Sequence, residues 1–478
     1  MSTNFAFRSA VFVEHLKRDG LFSLRPAQPP RAGRKRDSSK AQPLTAQDAA
    51  RWAMSTQDNP MVITAVLLLD ATVERAALLE LLEHELKHDM RWTSQVIIQG
   101  PLLHPHWRHV SSMVWGEHVE EHCLPEEVAL TSLQVWLERV TRRPLPKQKP
   151  LWRLYLVTGP TGATAIVLRV HHCIADGGTL LQLLDALCEP ISSDRPVSGG
   201  HTYERHRRAP GLREGEHGAL ASSRTSTSIG PRPTTAVSPL RSLLSPATEL
   251  FAAHRKASGP SSRLSGEKRL RSTRPFSLEA LRESARRHDT RLTPLLLSAT
   301  VSGVSAGFAL KRKPRPASLL ALIPVDLRSP SSVSGGNQFA SGLVRLSTHP
   351  ANATEQLRVA HRALNRLKAR PHANGWGRWI EAVGLLPRFV ERFGVWWVTR
   401  QVDLSLSSIK GPAHTLSLLG ARVRDLVVWS PAAGRIGLSV TLTSYAGSMR
   451  IGVLADDAIV SDPNKLISSI EEELAGCA

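Results

Sequence analysis

The stretch of this chain best equipped for chemistry is a short run with two imidazoles, a carboxylate and a glycine, His171-His172-Cys173-Ile174-Ala175-Asp176-Gly177. An imidazole can act as a general base near neutral pH, because its unperturbed pKa is about 6.5. The second histidine and Asp176 could fix the ring of the base and the loop, and a glycine permits backbone angles that other residues resist. A pair of half-buried histidines that closes a strand would explain His-His alone, but the full pattern favours proton transfer.

The neighbouring residues predict the elements that position this run. Residues 165–170 are apolar and partly β-branched, as in a buried strand, and residues 179–187 have apolar positions at helical spacing. An earlier strand over 150–157, entered through a proline, is joined to it by the turn Thr158-Gly159-Pro160-Thr161-Gly162. The histidines are therefore expected at the turn between a strand and a helix, where reactive side chains are commonly held.

Composition narrows the classes of protein. The 478 residues have room for two or three domains, and an apolar fraction of 41% suits a sizeable core. A net charge of +20 predicts an anionic partner: nucleic acid, an anionic membrane surface or a phosphorylated cofactor. Nucleic acid is not expected, since the basic segments lack aromatic interleaving and any known binding module.

The compartment and the membrane relation are predicted from cysteines and apolar runs. Four cysteines without paired spacing indicate a reducing compartment, and the N-terminal apolar run is too short for a secretory signal. The longest uncharged run, 292–310, contains glycines, a proline and several hydroxyl residues, which favours a buried helix over a membrane span. We expect a cytoplasmic protein that is soluble or peripherally membrane-associated.

Shifts in composition divide the chain into four parts. Residues 1–42 form a basic, partly disordered arm, and 191–265 form a Ser/Arg/Pro-rich linker. Alternating helices and strands lie on both sides of the linker, in 43–190 and 266–478. This predicts an α/β protein with mixed sheets, built as two lobes whose junction the histidine loop faces.

Several further motifs resemble the bacterial wax ester synthase/diacylglycerol acyltransferase family. They are Asn59-Pro60-Met61, Arg143-Pro144-Leu145 with Pro150-Leu151-Trp152, Ile323-Pro324-Val325-Asp326-Leu327-Arg328, Gly335-Gly336-Asn337, Gly411-Pro412 and Leu442-Thr443-Ser444-Tyr445-Ala446-Gly447. The similarity runs from about 43 to 475, interrupted by the linker. The His-His-x-x-x-Asp-Gly element alone is shared by several acyl-CoA-dependent and condensation-type transferases.

This resemblance implies a chloramphenicol-acetyltransferase-like fold, with a tunnel between two lobes that crosses the catalytic histidine. It implies transfer of a long acyl chain from acyl-CoA, as co-substrate, to diacylglycerol or a long-chain alcohol, without a metal or a permanently bound cofactor. By resemblance His172 is the base, His171 supports it and Asp176 holds the loop. Gly177, Pro150, Leu151 and Trp152 support the motif. A membrane or lipid-droplet surface is the implied partner, and nucleic acid is not.

Two positions depart from the family pattern. Thr293-Pro294 stands where the family has Asn-Asp, and Ser407-Ser408 where it has Thr-Asn. Thr293 as N-cap and Pro294 as the first helical residue would preserve a helix start while losing a direct polar role. This departure keeps a second hypothesis open, a non-catalytic lipid or membrane-surface binder with the same fold.

A zinc site is a weaker hypothesis, because His118-Val119-Glu120-Glu121-His122 matches a peptidase pattern. Such a site needs a helix, a third ligand and an open cavity. The segment has no apolar face with which a helix could pack, so zinc is not expected.

Tryptophans are concentrated late in the chain, at 376, 379, 396 and 397, among arginines. Ordinary helix packing explains them, and so does an interfacial patch, since both residue types suit a membrane surface.

Overall fold

A computed structural model of the chain describes residues 41–98, 100, 104–191, 263–308, 318–326, 339–348, 355, 357–362, 365, 388–460 and 462–477. All of them belong to one compact unit, residues 41–478. Nearly all of the predicted arm, most of the predicted linker and the loop 335–337 lie outside the described residues.

The described helices include those predicted near 179–187 and 292–310. They are α1 Ala46–Met54, α2 Arg75–Leu86, α3 Leu130–Thr141, α4 Gly177–Leu187, α5 Leu278–Arg287, α6 Leu292–Phe308, α7 Arg388–Thr399 and α8 Pro463–Cys477, with a 3₁₀ turn at Trp115–His118. Residues 355, 357–362 and 365 are also helical. None of the helices in these ranges is both long enough and apolar enough to cross a bilayer.

The strands form two large sheets and a small one. They are β1 Gln42–Pro43, β2 Val62–Leu69, β3 Ser94–Ile97, β4 His106–His109, β5 Val119–Cys123, β6 Trp152–Thr158, β7 Thr164–His171, β8 Glu189–Pro190, β9 Lys268–Ser272, β10 Phe276–Ser277, β11 Ser318–Asp326, β12 Phe339–Ser347, β13 Leu404–Lys410, β14 Leu416–Leu418, β15 Ala421–Trp429, β16 Leu438–Tyr445 and β17 Ser448–Asp456. The first large sheet has the order β5-β6-β7-β2-β15-β14-β8, and the second β10-β17-β16-β13-β11-β12, with β9 on β17. Both mix parallel and antiparallel pairs, as predicted.

The strand that ends at the histidines lies inside the first sheet. Strand β7 pairs antiparallel with β6, which confirms the predicted hairpin, and on its other side with β2. Every residue of β2 and β7 is buried, because both faces of the sheet are covered. The histidines therefore stand at the end of one of the more rigidly held strands.

Strands from the C-terminal part complete the first sheet, and the sequence pattern did not reveal this. Strand β15 pairs with β2, from Val423 opposite Leu69 to Trp429 opposite Thr64. The prediction from sequence assigned residues 423–429 to the C-terminal lobe, because they belong to the range 266–478. Local patterns predict that a strand exists, but they do not identify its partner.

The uncharged run forms a largely buried helix over Leu292–Phe308, as predicted, while residues 309 and 310 lie outside the described residues; the start of the helix differs from the prediction. A Cβ on Gly303 would lie 2.3 Å from Ile470 Cγ1, so α6 approaches α8 closely at that glycine. Helix α6 begins at Leu292, and the carbonyl of Arg291 accepts from the Leu295 N–H at 3.3 Å. The prediction of Thr293 as N-cap is wrong, because proline, lacking an N–H, is tolerated anywhere in a first turn.

Candidate active site

Backbone hydrogen bonds to two neighbouring strands hold the paired histidines. The His171 N–H donates to the Leu151 carbonyl at 2.9 Å, and the His172 N–H donates to the Met61 carbonyl at 2.7 Å. Pro150 is buried before Leu151, and the Trp152 indole N–H donates to the Trp92 carbonyl at 2.9 Å. The predicted supporting residues 150–152 thus contact the motif through the backbone and the core beneath it.

His172 lines a cavity of about 290 Å³ between the N-terminal and C-terminal parts of the chain. Its lining residues are Arg51, Met54, Met61, Ile63, His172, Asp176, Gly177, Gly178 and Leu181 from the first part, and Leu322, Pro324, Ser405, Ser407, Ser408, Ile409, Lys410, Ser430, Pro431 and Ala433 from the second. The histidine loop therefore faces a junction, as predicted. The lining combines apolar side chains with polar and charged ones, as expected for a site that both binds a substrate and holds reacting groups.

His171 is buried outside this cavity and is electrically neutral. Its Nδ1 accepts from the Cys173 backbone N–H at 3.2 Å, which places the ring proton on Nε2. Burial, reinforced by the nearby charges of His172 and Lys147, lowers the pKa of His171 to about 3. The Trp52 ring packs against it at 5.4 Å between centroids. His171 is thus built into the support of the loop.

Asp176 begins the helix that follows the motif. Its Oδ1 accepts from the Thr179 N–H at 2.9 Å and from the Thr179 hydroxyl at 3.0 Å, so this carboxylate is the N-cap of α4. The side chain is only 2% exposed although it borders the cavity. Its hydrogen bonds connect the turn to the first residues of the helix.

Arg51 is a site residue that sequence reasoning missed. It is 2% exposed and lines the cavity beside His172. Burial lowers the pKa of Arg51 to about 10, and the carboxylates of Asp48 and Asp176 oppose that shift. Asp48 is itself paired with Arg91 at 3.1 Å. The sequence did contain a signal for this site residue, because an arginine stands on the apolar side of α1, between Ala50 and Trp52.

The predicted need for glycine backbone angles at Gly177 is not seen in the structure. Its backbone is outside the left-handed region in which glycine is favoured; the positive-φ glycines of the described residues lie elsewhere. A Cβ at this position would lie 3.4 Å from Cγ1 of Ile409, on β13. That distance is an ordinary van der Waals contact, so the start of α4 lies beside β13 without requiring a glycine there.

Cys173 is not equipped to act as a nucleophile. It is fully buried and lies outside the cavity lining, with its Sγ 3.0 Å from Nδ1 of His171. Burial, aided by the negative charge of Asp48, raises the pKa of Cys173 well above its usual value. The protein therefore holds this sulfur as a thiol, whereas the thiolate is the reactive form.

The two departures from the family pattern lie in different places. Ser407 and Ser408 line the cavity on β13, together with Ser405. Ser405 is 7% exposed, and its buried hydroxyl has no hydrogen-bond partner among the described residues. Thr293 is exposed on α6 and does not line the cavity.

The zinc-like pattern lies on a 3₁₀ turn and strand β5, and not on a metal-binding helix. His118 ends the 3₁₀ turn, is stacked on Trp152 at 4.4 Å, and its Nδ1 lies 2.9 Å from the Trp152 carbonyl. His122 is on strand β5 and stacks on Trp136. Within the part of the chain that the structure describes, no three potential ligands come together around a metal position.

Comparison with known proteins agrees with the arrangement of the two sheets. Residues 44–294 match the wax ester synthase/diacylglycerol acyltransferase catalytic domain, and 335–477 match the WS/DGAT C-terminal domain. A probable diacylglycerol O-acyltransferase of Mycobacterium tuberculosis is 30% identical over 396 residues, 78% of this chain and 81% of the relative.

Two solved structures have the same fold. The wax ester synthase/diacylglycerol acyltransferase of Marinobacter aquaeolei VT8 superposes with a TM-score of 0.64 at 17% identity, over 91% of this chain and 98% of that one. A trichothecene 15-O-acetyltransferase of Fusarium sporotrichioides gives a TM-score of 0.63 at 12% identity, over 95% and 99%. The predicted acyltransferase fold is thereby confirmed.

Proposed function

This chain belongs to the wax ester synthase/diacylglycerol acyltransferase family, and we propose on that premise that His172 is its general base. The reaction is transfer of a long acyl chain from acyl-CoA to the hydroxyl of a diacylglycerol or a long-chain alcohol. One observation carries the proposal: of the two motif imidazoles, only that of His172 lines the cavity between the two parts of the chain.

In this mechanism His172 removes the proton of the acceptor hydroxyl as its oxygen attacks the thioester carbonyl. The new C–O bond forms, the C–S bond breaks, and the imidazolium returns its proton to the departing coenzyme A thiolate. The products are an ester and free coenzyme A, so no permanently bound cofactor or metal is required. A positioned base of this kind contributes about 10²–10⁴ in rate.

The other polar groups have supporting roles. Asp176 fixes the turn through its cap on α4, and neutral His171 fills the core behind it. Ser405, Ser407 and Ser408 add hydroxyl residues along the β13 wall of the cavity, which could orient the polar part of a substrate. None of these groups has to accept the transferred proton.

We further propose that the protein works in the cytoplasm on an anionic membrane or lipid-droplet surface. On α7 the side chains of Phe393 and Trp396 are 62% and 41% exposed, and the Arg400 guanidinium lies 4.8 Å above the Trp396 ring. Aromatic and basic residues in this arrangement suit a lipid interface. Helix α7 packs against α1, which carries the cavity residues Arg51 and Met54. The proposed lipid-facing helix is thus in contact with a helix that lines the cavity.

The proposal is tested by incubating purified protein with labelled palmitoyl-CoA and diolein, hexadecanol or no acceptor. Lipid separation measures ester, and a thiol reagent measures free coenzyme A. We expect ester with at least one acceptor and coenzyme A release only when an acceptor is present. Absence of ester with both acceptors would contradict the function, and rapid stoichiometric coenzyme A release without acceptor would contradict direct transfer.

A further inference from the structure

A second cavity of about 330 Å³, comparable in size to the one beside His172, lies between the turn that joins α5 to α6 and the helical segment 357–362. It is lined by residues 288–290 of the turn and by Leu357, Arg358, His361 and Arg362, and it shares no lining residue with the cavity beside His172. We call it the arginine cavity. Apart from Leu357 its wall consists of polar and ionisable residues, so it suits a charged ligand rather than a hydrocarbon chain.

The two arginines of this cavity lie on one face of the helical segment. Arg358 and Arg362 are four residues apart, which places their side chains on neighbouring turns. Both are exposed, and neither guanidinium has an ion-pair partner among the described residues. Like charges at this spacing destabilise a helix. An anion bound between the two guanidiniums would offset that repulsion.

The turn between α5 and α6 supplies the other wall of the arginine cavity. Thr290 Oγ1 lies 3.2 Å from Nδ1 of His361, and this contact connects the turn to the helical segment. His288 adds a second imidazole to the lining. A neutral imidazole can donate one hydrogen bond, and a protonated one can donate two. The wall therefore offers donors in addition to the guanidiniums.

Asp289 is the acidic residue of the lining, and its carboxylate opposes the binding of an anion. It is exposed, and its φ of 47° belongs to the turn after α5, where its N–H donates to the Arg286 carbonyl at 3.0 Å. Two guanidiniums against one carboxylate leave the lining positively charged even when both imidazoles are neutral. A metal ion is not favoured, because no three potential ligands come together within the ranges that the structure describes.

We propose that the arginine cavity binds a phosphate group. Guanidiniums hold phosphate oxygens through paired, charge-assisted hydrogen bonds, and imidazole N–H groups can add further donors. Such a group is offered by free phosphate or diphosphate in solution and by the headgroup of a phospholipid. The site is separate from the cavity of the proposed acyl transfer and does not depend on that reaction.

The test compares the affinity for inorganic pyrophosphate of wild type and three variants by titration calorimetry. Arg358→Gln/Arg362→Gln removes both charges and keeps long side chains with good helix propensity. Arg422→Gln/Arg424→Gln makes the same change of charge at two exposed arginines of β15 and is the matched control. Asp289→Asn removes the opposing charge and keeps a residue type that tolerates left-handed backbone. Thermal melts establish that each variant is folded.

For Arg358→Gln/Arg362→Gln we expect pyrophosphate to bind about tenfold or more weakly than to wild type, because hydrogen bonds to charged groups are lost. Asp289→Asn should bind it about two- to fivefold more tightly. The β15 variant should bind it about as well as wild type. Equal loss in both arginine variants, or no difference between wild type and Arg358→Gln/Arg362→Gln, would overturn the proposal.

Vesicle sedimentation identifies the source of the phosphate group. A lipid headgroup as ligand predicts that Arg358→Gln/Arg362→Gln binds phosphatidic acid vesicles about tenfold less tightly than the β15 variant does. A soluble ligand predicts equal vesicle binding by these two variants, while pyrophosphate binding still requires Arg358 and Arg362. A protein that is inactive in acyl transfer but shows this dependence on the two arginines would refute the proposed function alone.

Discussion

At the scale of single residues, two identical side chains next to each other have different environments. Successive residues at the end of a strand point to opposite sides. His171 therefore enters the core, where burial keeps it neutral, and His172 borders the cavity. The motif predicted that a histidine base was present, and the strand geometry explains which of the two is available.

Neutral His171 predicts a pH dependence of stability. Its folded pKa is about 3, whereas an unfolded histidine titrates near a pKa of about 6.5. The unfolded chain therefore binds a proton that the folded chain does not, so stability is full above the unfolded pKa and is lost as pH falls towards the folded one. From about pH 7 to about pH 5 the loss is about 2 kcal/mol.

The variant His171→Asn, which keeps an acceptor near Nδ1 but cannot take up a proton, should be less sensitive to acid. Its free energy of unfolding should fall by about 2 kcal/mol less than that of wild type over this range. Urea unfolding at both pH values measures the difference. Parallel pH profiles for the two proteins would show that His171 is not held neutral by burial.

Asp176 both caps helix α4 and places a negative charge near Arg51. Two variants separate these two effects. Asp176→Asn keeps a capping oxygen but removes the charge near buried Arg51, whereas Asp176→Ala removes both. We expect both to lower the free energy of unfolding by a few kcal/mol, with the alanine variant about 1 kcal/mol lower. Urea unfolding provides the measurement. Wild-type stability of Asp176→Asn would contradict the counter-charge role.

At the scale of elements, the sequence correctly predicted those strands and helices whose apolar residues recur at regular spacing. The hairpin before His171, the helix after Asp176 and the buried helix α6 were all anticipated from apolar spacing. The start of α6 was misplaced because proline fits more than one position of a first turn. Arg51 was missed because its position beside His172 and Asp176 in the cavity depends on residues far apart in the sequence.

Helix α7 tests the proposed contact with lipid. The double variant Phe393→Ala/Trp396→Ala removes the exposed aromatic groups, and its binding to phosphatidylglycerol-containing vesicles should weaken about tenfold or more. Binding should also weaken with salt, because the net charge of +20 supplies attraction. Val135→Ala, at a residue 67% exposed on α3, is the control. Vesicle sedimentation measures the binding. If the double variant bound as well as wild type, α7 would be excluded as the contact with lipid.

At the scale of the whole molecule, the C-terminal part of the chain contributes strands to both large sheets. The cavity lies between these strands and the N-terminal part. Strands β14 and β15 join the first sheet, while β13, β16 and β17 remain in the second. Strand β13 brings Ser405 and Ile409 to the side of the cavity that completes the site around His172. Sequence alone predicted two lobes, but it could not predict this exchange, since long-range pairing leaves no local pattern.

Tyr445 joins the two sheets at the side-chain level. It lies on β16, its hydroxyl donates to the Val423 carbonyl at 2.9 Å, and it accepts from the Leu416 N–H at 2.8 Å. Tyr445→Phe would leave two backbone groups of the first sheet unpaired in a buried place. The free energy of unfolding should fall by about 2 kcal/mol, as measured by urea unfolding. A neutral substitution would show that this connection adds nothing to stability.

The central claim is that His172 is the base for acyl transfer, and the direct measurement is ester formation by His172→Ala. From labelled palmitoyl-CoA and the acceptor that wild type uses, ester should form about 10²–10⁴ times more slowly. The thermal melt should be unchanged, because the side chain borders a cavity. His84→Ala, at an exposed histidine of α2, should match wild type. Full activity of a normally folded His172→Ala protein would contradict the account.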